Sequence, residues 1–71
     1  MTMLEKQIIH ACFQAAMAAD QAWSIELERV FGRAAGDARY DDRGEQTPRL
    51  KALRDAKLAT DAALLASWNQ V

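Results

Sequence analysis

Between Met3 and Gly32 apolar residues recur with helical spacing, and no proline or internal glycine interrupts them. The pattern predicts one long helix over residues 3–32, about 45 Å from end to end at 1.5 Å per residue. Thr2 and Glu5 stand at the spacing of a capping box, in which each side chain satisfies a backbone N–H of the first turn. A second start follows at Thr47-Pro48, an N-cap with proline at the first helical position. From there the pattern predicts a helix over residues 48–71. The stretch between, RAAGDARYDDRGEQ from Arg33 to Gln46, lacks the period and reads as a loop.

The apolar positions cover more of each helix than one partner helix needs. Leu4, Ile8, Ala11, Ala15, Ala19 and Ala22 make a narrow strip whose small residues let another helix approach closely. Beside it runs a bulkier strip of Ile9, Cys12, Phe13, Ala16, Trp23, Leu27, Val30 and Phe31. The second helix places Leu50, Leu53, Ala56, Thr60, Leu64, Trp68 and Val71 on one face, and Leu58, Ala62 and Leu65 on another. A single pair of helices leaves part of this surface in water. The expected architecture is therefore all-α: one domain spanning residues 1–71, a two-helix antiparallel hairpin with a long loop, completed by a homodimer in a four-helix arrangement. Its core and dimer contacts are expected at Ile8, Ala15, Ala19, Trp23, Leu27, Leu53, Leu64 and Trp68.

Charge placement supports the antiparallel pairing. The first helix has a net charge of −2, with Glu26 and Glu28 near its C-terminus, where the helix dipole disfavours acids. The second has +2, with Arg49, Lys51 and Arg54 near its N-terminus, again the unfavourable end. Side by side in a hairpin, the two misplaced groups neutralise each other. The whole chain of 71 residues carries −1, which argues against binding nucleic acid by phosphate neutralisation. A lone cysteine excludes an internal disulfide framework and fits a reducing, cytoplasmic setting. The apolar run from Ile8 to Ala19 is broken by His10 and Gln14, so it is read neither as a signal-peptide core nor as a membrane span.

Catalytic chemistry finds little support. His10 and Cys12 are two apart on a helix, so their side chains diverge and form no nucleophile–base pair. Cys12 lies on the apolar strip and reads as a structural thiol; His10 lies on the polar face with Gln14 and Gln21. Neither has the partners of a zinc site, and Asp41, Asp42 and Glu45 lack the spacing of a calcium loop. Gly32, Gly36 and Gly44 do not form a phosphate cradle. The reading is a non-enzymatic protein with no cofactor and no metal.

The connection is long for a helix–helix link, fourteen residues of which seven are charged. Its single tyrosine, Tyr40, sits among those charges. Two readings stand together: a solvated loop whose tyrosine folds over the end of the hairpin, or an interface anchor, a role tyrosine fills at low entropic cost. On the second reading the acidic neighbours favour a basic partner surface. Ile25 falls within the polar half of the first helix, two turns from the loop, and is expected to share a face with Tyr40, rimmed by Asp20, Gln21, Ser24 and Glu28. Met17, also on the polar half, belongs either to this surface or to the dimer contact.

With about seventy residues, a long helix, a loop, a second helix and an expected dimer, the whole chain resembles the quorum-sensing anti-activators of Pseudomonas phages. The likeness is one of architecture and rests on no diagnostic motif; the Ala- and Arg-rich composition suits a GC-rich host. The resemblance implies a phage-encoded host-takeover protein that binds a LuxR-type transcriptional activator at its DNA-binding region and prevents promoter binding. It also implies inhibition of the ATPase that drives type IV pilus assembly. Carried onto this chain, the partner-binding residues are Ile25 and Tyr40, with Glu28, Asp41 and Asp42 facing basic residues of the target. Two alternatives remain: an anti-CRISPR protein covering a basic nucleic-acid channel, and a structural or assembly helper that only self-associates.

Overall fold

The computed structural model describes residues 2–69, and Val71, expected at the end of the second helix, lies outside them. Helix α1 spans Met3–Phe31. The Glu5 N–H donates to Thr2 Oγ1 at 3.1 Å and the Thr2 N–H donates to Glu5 Oε2 at 3.3 Å, so the capping box forms in full. The helix ends at Gly32, whose φ of +57° disfavours any residue with a Cβ and whose N–H closes on the Glu28 carbonyl. The final helix begins at Pro48, where Thr47 Oγ1 accepts from the Leu50 N–H at 3.0 Å.

The intervening segment is not irregular. A 3-10 turn over Gly32–Ala34 leads into a single helical turn, α2, at Ala35–Ala38, and a second 3-10 turn covers Asp42–Glu45 before α3 at Pro48–Asn69. Helical turns occupy 91% of the described residues, with no strand among them. Several backbone N–H groups of the connection, those of Arg39, Tyr40, Asp41, Gly44 and Gln46, thus find carbonyls within it, which lets it lie against the long helices instead of looping into water.

That placement decides where the core sits. Trp23 and Leu27 from α1, Ala35 and Ala38 from α2, and Leu50 from α3 bury together, with Phe31 and Leu53 packed against them. Leu27 and Leu50 are almost wholly enclosed, each contributing about 1.5–3 kcal/mol of apolar burial. Ala35 and Ala38 belong to the segment that the sequence pattern assigns to a loop. Their small side chains let α2 approach closely enough to cap the junction of the two long helices.

Away from this end the contact thins. Of the eight expected core and dimer positions, Trp23 and Leu27 are buried, and Ala19, Leu53 and Leu64 are half-buried. Ile8, Ala15 and Trp68 are exposed in the single chain. The molecule measures 43 × 18 × 15 Å, one helix pair in cross-section, so each helix has only one neighbour to bury against. The bulkier strip of α1 takes that contact through Ile9, Ala16, Trp23 and Leu27, while the alanine-rich strip faces out.

Gly44 is buried although its backbone angles suit any residue; a Cβ there would stand 2.9 Å from the Ala38 carbonyl oxygen and 3.0 Å from the Trp23 ring. Gly44→Ala is expected to cost about 1–3 kcal/mol by overpacking. Gly36→Ala, where an added Cβ meets nothing within 4 Å, is expected to be neutral or to stabilise by up to about 1 kcal/mol. Urea denaturation followed by circular dichroism checks the pair, and equal effects at the two sites would contradict this packing.

Candidate protein-binding site

Trp23 organises the surface at the closed end of the molecule. Its indole N–H donates to the Gly44 carbonyl at 2.9 Å, tying α1 to the second 3-10 turn across 21 residues of sequence. The guanidinium of Arg39 lies over the same ring, 4.8 Å from its centroid, within cation–π range. Arg39 also donates to Ser24 Oγ at 2.6 Å and to the Asp20 carboxylate one turn earlier, and the hydrogen bond to Asp20 leads in raising its pKa, with desolvation opposing. Residues 39 and 44 are therefore both fixed to α1, and the short arc between them has little freedom.

Tyr40 stands on that arc with 86% of its surface exposed. It does not fold over the end of the hairpin. It borders a hollow of about 160 Å³ with Trp23, Arg39, Arg54, Lys57 and Leu58. Ile25 is exposed on the solvent side of α1 and is not among the residues of that hollow. Glu28 is exposed too, and with Ser24, Gly36 and Arg39 it borders a neighbouring hollow of about 240 Å³. Met17 belongs to a third, wider hollow of about 640 Å³, with Phe13, Asp61 and Leu64.

The two loop aspartates differ in what they offer. Asp41 accepts from the Arg43 backbone N–H at 2.8 Å and from its guanidinium at 2.7 and 3.1 Å. The Arg43 side chain, then its backbone N–H, hold the Asp41 carboxyl below the usual carboxylate range. Arg43 in turn leans over the Phe31 ring at 5.9 Å. Asp41 is thus the N-cap of its own turn, with its charge already met. Asp42 is exposed at the start of that turn.

The charge pairing between the long helices narrows to one acid. Glu26, only 4% exposed, accepts from Arg29 at 2.8 and 2.7 Å and meets Arg49 at 3.3 Å. Hydrogen bonds from Arg29 lead in lowering its pKa; partial desolvation opposes them, and Arg49 adds to the lowering. Its cover is a single layer formed by these long, exposed side chains. Arg54 turns instead to Glu45 in the connection, and Lys51 to Asp55 within α3.

His10 is exposed and meets the Gln14 amide at 3.4 Å, while Cys12 is half-buried on the packing strip. Among the described residues no three His, Cys, Asp or Glu side chains converge as a metal site, and no helix is long and apolar enough to cross a membrane. The chain has no significant match among protein-family models, curated proteins or solved structures.

Glu26 and Asp41 have folded-state pKa values below their unfolded ones, so each stabilises the fold above the unfolded value, and that contribution is lost as pH falls through the folded one. The melting temperature is expected to be level near neutrality and to drop as pH moves below the ordinary carboxylate range. Glu26→Gln should lower the neutral-pH melting temperature and flatten the acid slope. A variant with the wild-type acid profile would show that Glu26 is not the coupled group.

Proposed function

We propose that this chain is a non-enzymatic protein-binding inhibitor that presents Tyr40 as its anchor, with a LuxR-type transcriptional activator of the host cytoplasm as its target. The observation that carries this reading is a large aromatic side chain, 86% exposed, on a segment clamped at both ends to Trp23. The clamp satisfies the buried indole and also holds the arc that carries Tyr40. That suits an interface anchor, because a side chain held in place before binding loses less entropy when the partner arrives. The surrounding exposed acids, Glu28, Asp37 and Asp42, suit the basic surface of a DNA-reading domain. Covering that surface blocks promoter binding without any contact to DNA.

The same reading includes the finer architecture. Glu26 of α1 meets Arg49 at the start of α3, while Phe13 and Met17 share a hollow with Asp61 and Leu64. Those contacts support an antiparallel hairpin. Met3, Leu4, Ile8, Leu65 and Trp68 are each at least half-exposed at the other end of the pair, which supports a homodimer that covers them in a four-helix arrangement. This exposure equally favours a second reading, a structural helper that only self-associates. The two differ in what Tyr40 is for.

Fluorescence anisotropy of promoter DNA bound to a purified LuxR-type activator separates them. Wild type is expected to release the DNA, and Tyr40→Ala to need at least about tenfold more protein for the same release, the scale of an aromatic hot spot. An activator that keeps its DNA at saturating wild-type protein would overturn the anti-activator reading. Sedimentation velocity tests the dimer: wild type should run as two copies and Ala15→Glu as one, with the helical signal retained in both. A monomeric wild type would sink the four-helix arrangement.

A further inference from the structure

The hollow beside Tyr40 has a character of its own. Three cationic side chains, Arg39 from the connection and Arg54 and Lys57 from α3, border it, and no carboxylate does. Each cation is braced by an acid outside that set of lining residues: Arg39 by Asp20, Arg54 by Glu45, Lys57 by Asp61. The braces hold the cations in position without consuming them. A guanidinium has five N–H donors and an ammonium three, whereas Arg39 spends donors on Ser24 and Asp20, Arg54 on Glu45, and Lys57 on Asp61. The remaining walls are the buried Trp23 ring and the half-exposed Leu58, and Tyr40 stands at the rim.

We propose that this hollow receives one aspartate or glutamate side chain of the bound partner, its carboxylate among Arg39, Arg54 and Lys57 and its aliphatic stem between Leu58 and Tyr40. The proposal rests on the reading of Tyr40 as the anchor and deepens it, because it assigns the partner a chemistry at the anchor point. Size and surroundings select a single carboxylate over a nucleic-acid backbone. About 160 Å³ accommodates one short side chain, whereas a run of phosphates would extend past the hollow toward the exposed Asp37 and Asp42 of the connection. The interface then has two signs at two scales: exposed acids around the arc draw a basic surface, and the basic hollow admits one acid from within it. Such a contact fixes register and selects among basic surfaces that differ only in where an acid falls.

The test uses the full chain and no host protein. The ¹⁵N-labelled protein is titrated with the peptide acetyl-Ala-Glu-Ala-amide, with its Gln counterpart, and with inorganic phosphate. The Glu peptide is expected to shift the Trp23 indole signal and the Tyr40, Lys57 and Leu58 amides saturably, with a dissociation constant on the order of millimolar. The Gln peptide should leave them in place, and an Arg54→Gln, Lys57→Gln variant of unchanged helicity should weaken the Glu response at least about fivefold. Equal shifts from the Glu and Gln peptides, or no saturable shift from either, would overturn the proposal. Saturation by phosphate alone would overturn it in favour of a phosphate site. Because no activator is present, a failure here leaves the release of promoter DNA untouched, and a failure of that release leaves this titration readable.

Discussion

The hydrogen bond from the Trp23 indole to the Gly44 carbonyl is the contact on which the rest of the closed end depends. A tryptophan buried to 3% exposure must satisfy its N–H, and leaving that donor unmet costs about 1–3 kcal/mol. The acceptor comes from the connection, which folds back over the side of α1 to provide it. Gly44 makes the approach possible because nothing but hydrogen fits between its Cα, the Ala38 carbonyl and the ring. Once the 3-10 turn is drawn in, α2 lies over Leu27, and Arg39 reaches the upper face of the indole. One polar atom on one aromatic side chain thus folds a charged segment onto the helices it joins.

The consequence is an uneven distribution of stability. Apolar burial concentrates where three elements meet, at Trp23, Leu27, Ala35, Ala38 and Leu50. At the other end two helices alone provide the contact, and Ile9, Ala16 and Ser67 are its buried residues. Ser67 donates to the Leu64 carbonyl and so adds no unmet polar atom, yet a serine in that position contributes little apolar area. A small chain without disulfides has few means of strengthening such an end except a second molecule. The closed end, by contrast, is self-sufficient, and its surface can serve recognition without carrying the fold.

Much of the fold was legible because its signals are local. Thr2 with Glu5 and Thr47 with Pro48 need only their neighbours to act as caps, and they mark both starts. Helical periodicity separated the packing strip of α1 from its polar face, although the wheel could not rank two adjacent apolar strips for one partner; bulk decided, since Trp23 and Leu27 bury more area than Ala11 and Ala15. The connection was opaque for the opposite reason. Glycine and seven charges suppress any apolar period, and the interactions that order it cross long sequence distances, Arg39 to Asp20 and Trp23 to Gly44. The one available signal was the buried indole itself, which needs an acceptor that its own helix cannot provide. Glu26 was legible as a misplaced charge, while its near-complete cover by Arg29 and Arg49 depends on side-chain geometry beyond any pattern.

Asp41 and Tyr40 show how differently one segment can use two adjacent side chains. Adjacent in sequence, they look equally available, and composition alone would assign both to a partner. Asp41 spends its carboxylate on the turn that follows it, accepting from Arg43 backbone and side chain alike. Breaking those bonds to meet a partner would cost the turn its cap and gain only a surface ion pair, worth about 1 kcal/mol or less. Tyr40 caps no turn: its neighbour Arg39 makes the attachments to Asp20, Ser24 and Trp23, and although the Tyr40 hydroxyl lies within the influence of that guanidinium, the side chain is left 86% exposed. The acid therefore shapes the arc and the tyrosine is what the arc displays, with a cationic hollow beneath it whose counter-charges are already in place.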